Sequence, residues 1–373
     1  MDKPGAETTK PAGRWKQGIW IVSILAVCAL LRLYILSVDA MPMLYGDSGT
    51  YLHMARVLAP NWDRPIGYSL FLAAVFAVTD KLQAVSVAQA LLGVATTYLW
   101  YRLALERIGR AGAVAVALLV GLNLQAVVME HYLLSEAFSV FLVSVFFYLL
   151  WRWHREPHWI LSALAAVATV ALGLTRTAFL IVLLLPPAVW VLTWRQGKAA
   201  IGRVVRQAVL FAGIVGFLLG GYALWMGSYF GPARITLFDG WALYQLVGKW
   251  TDCSGEKNRV TDALCRAGNP ADNSRQQWKD IIWDPAGPAL FLLRENNGSH
   301  AKTNDDLRRA ALEIIWADPA RYLKKVGRNV VQMATGGDFY WTRVSSESTA
   351  MQSGVQDELQ RRFGGRPETI GYR

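Results

Sequence analysis

Between Gly18 and Gly227 the chain is a succession of apolar runs, each near the thickness of a bilayer's hydrocarbon core. They fall at residues 18–37, 82–101, 111–129, 133–151, 159–174, 178–194 and 208–227, with a shorter run at 66–79. A helix needs roughly 20 mostly apolar residues to cross. Inside lipid every backbone N–H and C=O must be satisfied, and a helix does this within one segment. The expected fold is therefore all-α and polytopic, with about seven transmembrane helices. Composition agrees: 54% of residues are hydrophobic, 17% are charged, and 16 are tryptophan. The first run is too long for the apolar part of a secretory leader and no small-residue cleavage site follows it, so it reads as a retained span.

The positive-inside rule sets an expected orientation. The N-terminal segment 1–17 carries Lys3, Lys10, Arg14 and Lys16, and the link after the second run carries Arg102, Arg107 and Arg110. "WRWHREPHW" carries Arg152 and Arg155, and "WRQGKAAIGRVVRQ" carries Arg195, Lys198, Arg203 and Arg206. Together these segments hold 13 Lys/Arg against 4 Asp/Glu, a net +9 of the chain's +11. All four face the cytoplasm only if run 66–79 does not cross, and at 14 residues it is short for a span. It then reads as a re-entrant or interfacial helix on the outer side; an ordinary short span would reverse everything after it. With seven crossings, the first outer loop 38–81 and the polar part that follows membrane domain 18–228 share one side.

That polar part has no run long enough to cross. Residues 229–343 read as a small, mainly helical extracytoplasmic domain and 344–373 as a flexible tail. Two helices are expected. The first has Thr303 as N-cap and Asp306 at N3, with Leu307, Ala311, Ile314 and Ile315 on its apolar face. The second has Asp318 as N-cap and Pro319 at N1, with a stripe of Tyr322, Leu323, Val326 and Val330 and with Lys324, Lys325 and Arg328 opposite. It ends at Gly336-Gly337. The domain packs on itself or on the membrane domain, or serves as a lid. Cys253 and Cys265 lie in "DCSGEKNRVTDALCRAG" and are expected to form a disulfide, the alternative being two free thiols. The basic balance does not imply nucleic acid, because from Tyr229 onward the chain is only +3 (20 Lys/Arg, 17 Asp/Glu).

Charges in or beside apolar runs are functional candidates. Arg32, near the outer end of the first run, reads as snorkelling to headgroups. Glu130, His131 and Glu136 crowd the short link "EHYLLSE". Arg176 stands in "ALGLTRTAFLIVLLLPP", where an always-charged fork suits either a headgroup or a bound phosphate. Asp47 opens "GDSG", an ordinary N-cap sequence. Residues Ser48 to Leu58 after it read as an amphipathic interfacial helix with a stripe of Tyr51, Leu52, Ala55 and Leu58. A carboxylate at the positive end of that helix is well placed to stay ionised.

The blocks "YGDSGTYLHMAR", "RPIGYSLFLAAVF", "SVAQALLGVATTYLWYRLALERIG", "LLSEAFSVFLVSVFFYLL" and "GLTRTAFLIVLLLP", in this order over about residues 15–230, resemble the GT-C superfamily of membrane glycosyltransferases. The branch they resemble is the bacterial protein-mannosyltransferase-like one. The resemblance implies inverting transfer of a sugar from a polyprenyl-phosphate donor to an acceptor hydroxyl on a glycolipid, cell-envelope glycan or protein. It would take place at the outer face of the cytoplasmic (inner) membrane. It implies Asp47 as catalytic base and Arg176 as ligand of the donor phosphate. Tyr51, Arg64, Glu130, His131, Glu136 and Lys249 are candidates for the donor and acceptor pocket. Some members carry a second acid beside the base; here Ser48 stands there. One carboxylate is a poor divalent-cation site, so no metal or other cofactor is expected. The partners are then the donor, its acceptor and the bilayer. Three other readings stay open: a lipid-linked substrate transporter or flippase, a non-enzymatic membrane scaffold with an outer domain, and a different lipid-linked transferase.

Overall fold

The computed structural model describes residues 12–254, 259–267 and 280–335. Among these the chain is helical throughout, without a strand; an isolated parallel bridge pairs Met43 with Tyr132. It forms two compact units, residues 12–59 with 66–218 and residues 60–65 with 219–335. The expected tail 344–373 and the Gly336-Gly337 stop lie outside the described residues.

The first unit contains α1 (Ala12–Val38), α2 (Ser48–Val57), α3 (Gly67–Phe76), α4 (Gln83–Gly121) and α5 (Leu124–Met129). After these come α6 (Glu136–Arg155), α7 (Trp159–Thr175), a 3-10 stretch over Thr177–Leu184, and α8 (Leu185–Arg195). It also holds most of α9 (Ile201–Phe230). Four stretches among the described residues are long and apolar enough to cross a membrane: Ile19–Val38, Glu136–Arg155, Thr177–Arg195 and Ile201–Phe230. The other three expected spans fall in α4, α5 and α7, which are shorter or more polar. α3 has 10 residues, about 15 Å at 1.5 Å per residue, half of a roughly 30 Å hydrocarbon core.

α4 is a hairpin of two helical arms. Gly109, with φ 71° and ψ −173°, breaks it in a conformation that a Cβ would strain. Beyond the break Ala113 and Ala117 pack back against Tyr101 and Ala104, and both arms close on Ile24 and Cys28 of α1. Runs 82–101 and 111–129 are therefore neighbours in one hairpin. The second run is interrupted where Asn123 caps α5, its Oδ1 accepting from the Ala126 N–H at 3.1 Å. Leu142, Phe146 and Leu150 recur every four residues on α6. They bury one stripe against Ala168 and Leu172 of α7 and Val182 of the 3-10 stretch.

The second unit contains α10 (Asp239–Val247), a 3-10 turn Gly248–Trp250, α11 (Arg259–Arg266), α12 (Asp280–Trp283), α13 (Pro288–Glu295), α14 (His300–Ala317) and α15 (Pro319–Thr335). Its core gathers Trp241, Tyr244, Leu264, Ile281, Leu292, Leu307 and Ala311. Cys253 and Cys265 are bonded, with Cα atoms 5.9 Å apart. α14 begins earlier than the capping-box pattern predicts. Ser299 is its N-cap, accepting from the Lys302 N–H, and Thr303 and Asp306 lie buried inside the helix. The Asn296 amide donates to both, at 3.2 and 3.1 Å, which satisfies them without a cap. The α15 cap is as read: Asp318 Oδ1 accepts from the Arg321 N–H at 3.0 Å ahead of Pro319.

Trp62 reaches into this unit from residues 60–65. It stacks on His300 (centroids 4.2 Å, 17°) and lies 5.0 Å from Trp241 and 6.1 Å from Trp283. Burial pushes the His300 imidazole below its ordinary value, because the charged ring would lose water. The hydrogen bond from Arg234 holds the Asp305 carboxyl below its ordinary value. Both folded pKa values lie below the unfolded ones, so the unfolded chain binds more protons and stability falls with acid. The His300 contribution is complete above about pH 6.5 and is lost as pH drops through its lower folded value; that of Asp305 is lost only below about pH 4. Tryptophan-monitored unfolding is expected to show two acid limbs. His300→Gln should remove the upper limb and Asp305→Asn the lower; an unchanged profile in either variant contradicts that assignment.

Candidate functional site

The site grows from two loops sewn together. Met43 N donates to His131 O (2.7 Å) and Leu133 N donates to Met43 O (2.9 Å), tying the segment after α1 to the link after α5. Ser48, the first residue of α2, donates from Oγ to Leu133 O at 2.8 Å. This fixes Asp47, at the N-cap position of α2, beside the 130–136 link. Asp47 makes no side-chain capping bond; its carbonyl accepts from the Tyr51 N–H at 3.1 Å. The stripe of α2 buries Tyr51, Leu52, Met54 and Ala55, while Leu58 is the exposed, left-handed C-cap (φ 48°). Leu58 therefore does not belong to the stripe as expected, and Met54 fills that role.

One turn from Asp47, the Tyr51 hydroxyl lies 3.4 Å from Ser135 Oγ. Ser135 Oγ also accepts from Arg176 Nε at 3.1 Å, and Arg176 Nη2 donates to Glu136 Oε1 at 2.5 Å. Glu136 sits in the first turn of α6, where the helix dipole favours a carboxylate. Its Oε2 is buried and, among the described residues, has no hydrogen-bond partner. Arg176 is the extended residue between α7 and the 3-10 stretch (φ −147°, ψ 120°), so its side chain emerges where regular helix stops. The approach of α3 to the end of α7 is close: a Cβ on Gly67 would lie 2.6 Å from the Leu174 carbonyl. Only glycine lets these backbones meet beside Arg176.

Tyr51, Glu136 and Arg176 thus form one hydrogen-bonded group with Asp47 a turn away. Glu130 does not join it. Arg32 Nε and Nη2 donate to its two carboxylate oxygens at 2.7 and 2.6 Å, and Arg32 Nη1 donates to the carbonyls of Cys28 and Gly121. Both side chains are buried, 3% and 5% exposed. Arg32 is therefore not a snorkelling residue, and each of its three guanidinium nitrogens donates inside the protein. His131 is buried, with Nδ1 against Val127 O at 3.2 Å and Nε2 without a partner among the described residues. Arg64 and Lys249 belong to the second unit. Arg64 lies over the Phe238 ring (5.0 Å) beside Asp63, and Lys249 lies in the turn after α10.

Two residues of the site were not singled out from sequence. Ser135 joins Tyr51 to Arg176. Gln89 of α4 is fully buried; its Nε2 donates to Glu130 O and Tyr132 O, and its Oε1 accepts from Tyr68 OH. An amide within an apolar run is itself a signal, since its cost in lipid demands partners.

The fold and the site together define a class: a helical chain with helices fit to cross a membrane and a charged, hydrogen-bonded cluster gathered at one end of them. Comparison with protein families, with curated proteins and with solved structures finds no match.

Proposed function

We propose that this chain is an inverting glycosyltransferase of the membrane, moving a sugar from a polyprenyl phosphate to an acceptor hydroxyl. The observation that carries the reading is the convergence of Asp47 with the Tyr51–Ser135–Arg176–Glu136 group. Two acids and one arginine gathered at the ends of apolar helices support a site at the depth of a lipid phosphate. In this proposal the chain crosses seven times, α3 stays on the outer side, and the site and second unit face the periplasm or the outside. The Lys/Arg distribution supports that orientation.

The chemistry follows from these groups. Asp47 takes the acceptor's proton as its oxygen attacks the anomeric carbon. The bond from that carbon to the phosphate oxygen breaks with inversion, and polyprenyl phosphate leaves. Arg176 stabilises the charge gathering on it. Ser135 and Glu136 hold the Nε–Nη2 edge of the guanidinium and aim the end carrying Nη1 outward. Glu136 also neutralises Arg176 at rest, so the arginine's advantage is greatest when the phosphate carries most charge.

Arg176→Lys is expected to insert and fold normally, because lysine reaches the same depth. It cannot keep the Ser135 and Glu136 bonds while presenting two donors to a phosphate. Losing a hydrogen bond to a charged group costs about 1.5–3 kcal/mol, a fall in kcat/KM of roughly 10- to 150-fold, mostly in kcat. The assay is release of polyprenyl phosphate from a panel of polyprenyl-phosphate sugars by purified protein in nanodiscs. Parent-like constants for the lysine variant would remove Arg176 from the mechanism. No release from any donor, with uptake of labelled lipid in vesicles instead, would favour the transporter reading.

A further inference from the structure

α15 turns an apolar strip outward. Leu323, Val330 and Val331 are 67%, 58% and 60% exposed, and Trp316, just before the helix, is 77% exposed. At 3.6 residues per turn the three share one side, bordered by exposed Lys324 and Arg328. The opposite side holds the helix to its own unit: Tyr322 packs on the core and Arg321 lies 4.5 Å from the centre of the Trp250 ring. Between Pro319 and Thr335 there are four Lys/Arg and no acid. Adjacent large apolar side chains in water are unfavourable and mark a contact surface.

The charge says what covers it. An apolar strip edged with cations, on a helix that carries no carboxylate between Pro319 and Thr335 and follows an exposed tryptophan in the chain, is the pattern of a helix lying in a bilayer interface. There the apolar side sinks to the acyl boundary and the cations meet lipid phosphates. The apolar helices of this same chain keep a bilayer at hand. We propose that α15 is an interfacial helix that rests on anionic phospholipid headgroups. The inference rests on the membrane reading of those helices and not on the transferase activity.

The test uses the full-length protein in vesicles. Cys28 is buried and Cys253 is bonded to Cys265, so an introduced cysteine can be spin-labelled selectively. In phosphatidylglycerol vesicles a label at Val330→Cys should be open to oxygen and closed to a water-soluble nickel complex. A label at Gln332→Cys, on the far side, should be open to nickel. Adding Lys324→Glu and Arg328→Glu removes two attractions of about fivefold each, so the ratio of lipid-inserted to water-exposed label at Val330→Cys should fall at least roughly 25-fold. A label at Val330→Cys open to nickel in these vesicles overturns the proposal. Closure to both oxygen and nickel also overturns it, since protein would then cover the strip. Undiminished insertion of the charge-reversed variant overturns the role of anionic headgroups.

Discussion

Asp47→Asn is expected to lower kcat by about 10²- to 10⁴-fold, the usual span for loss of a general base, while leaving the fold intact. Asparagine has the shape of aspartate but cannot take a proton from an attacking hydroxyl. The near-identical size and polarity of the two side chains let asparagine occupy the same place. Asp47 anchors α2 through its backbone, whose carbonyl accepts from the Tyr51 N–H, and its side chain is not the cap of that helix. The neighbouring Ser48, with bonds to Tyr45 and Leu133, holds the loop in place. With an isosteric side chain in place, the thermal midpoint should stay near that of the parent and donor binding should change little. The measurement is single-turnover release of polyprenyl phosphate alongside a melting curve. A kcat within about threefold of the parent would exclude Asp47 as base, and an equal loss of folded protein would show a structural role instead.

Glu130→Gln is expected to act on stability and not on chemistry. The change strands the buried Arg32 guanidinium, which keeps its bonds to the Cys28 and Gly121 carbonyls but loses its counter-charge. Breaking a buried ion pair by removing one partner costs about 3–5 kcal/mol. For a unit of this size that is a drop in thermal midpoint on the order of 10 °C. Arg32→Met should cost as much, because it leaves a buried carboxylate. The pair Arg32→Met with Glu130→Met removes both charges and should recover much of the loss. Turnover per folded molecule should match the parent in all three, which separates this pair from a pocket role for Glu130. A variant of normal stability and lost turnover would return Glu130 to the active site.

The Arg32–Glu130 pair shows why part of the site is hidden in sequence. Alone, an arginine near the end of an apolar run is indistinguishable from one reaching for headgroups. Its partner lies 98 residues away, and the pairing depends on how α1, α4 and α5 meet. Ser135 is hidden for the same reason, since its role comes from being touched by Tyr51 and Arg176 together. The α14 cap misled because Thr303 and Asp306 fit a capping box locally, and only the packing of Asn296 against them gives their side chains other partners.

What the sequence alone determined follows from local rules. Run length and apolar content define helices that fit a bilayer, the run at 66–79 is short beside them, and Pro319 after Asp318 sets the start of α15. Each of these depends on a few adjacent residues and on the cost of a bare backbone in lipid. The tertiary structure decided which charges meet. It turned α4 back on itself at Gly109, buried Arg32 on Glu130, and drew Arg176 onto Ser135 and Glu136 beside Asp47. It also left Leu323, Val330 and Val331 of α15 more than half exposed. Pairings of this kind are set by packing between distant segments, where the cost of an unpartnered buried charge selects one arrangement among many that the same local pattern allows.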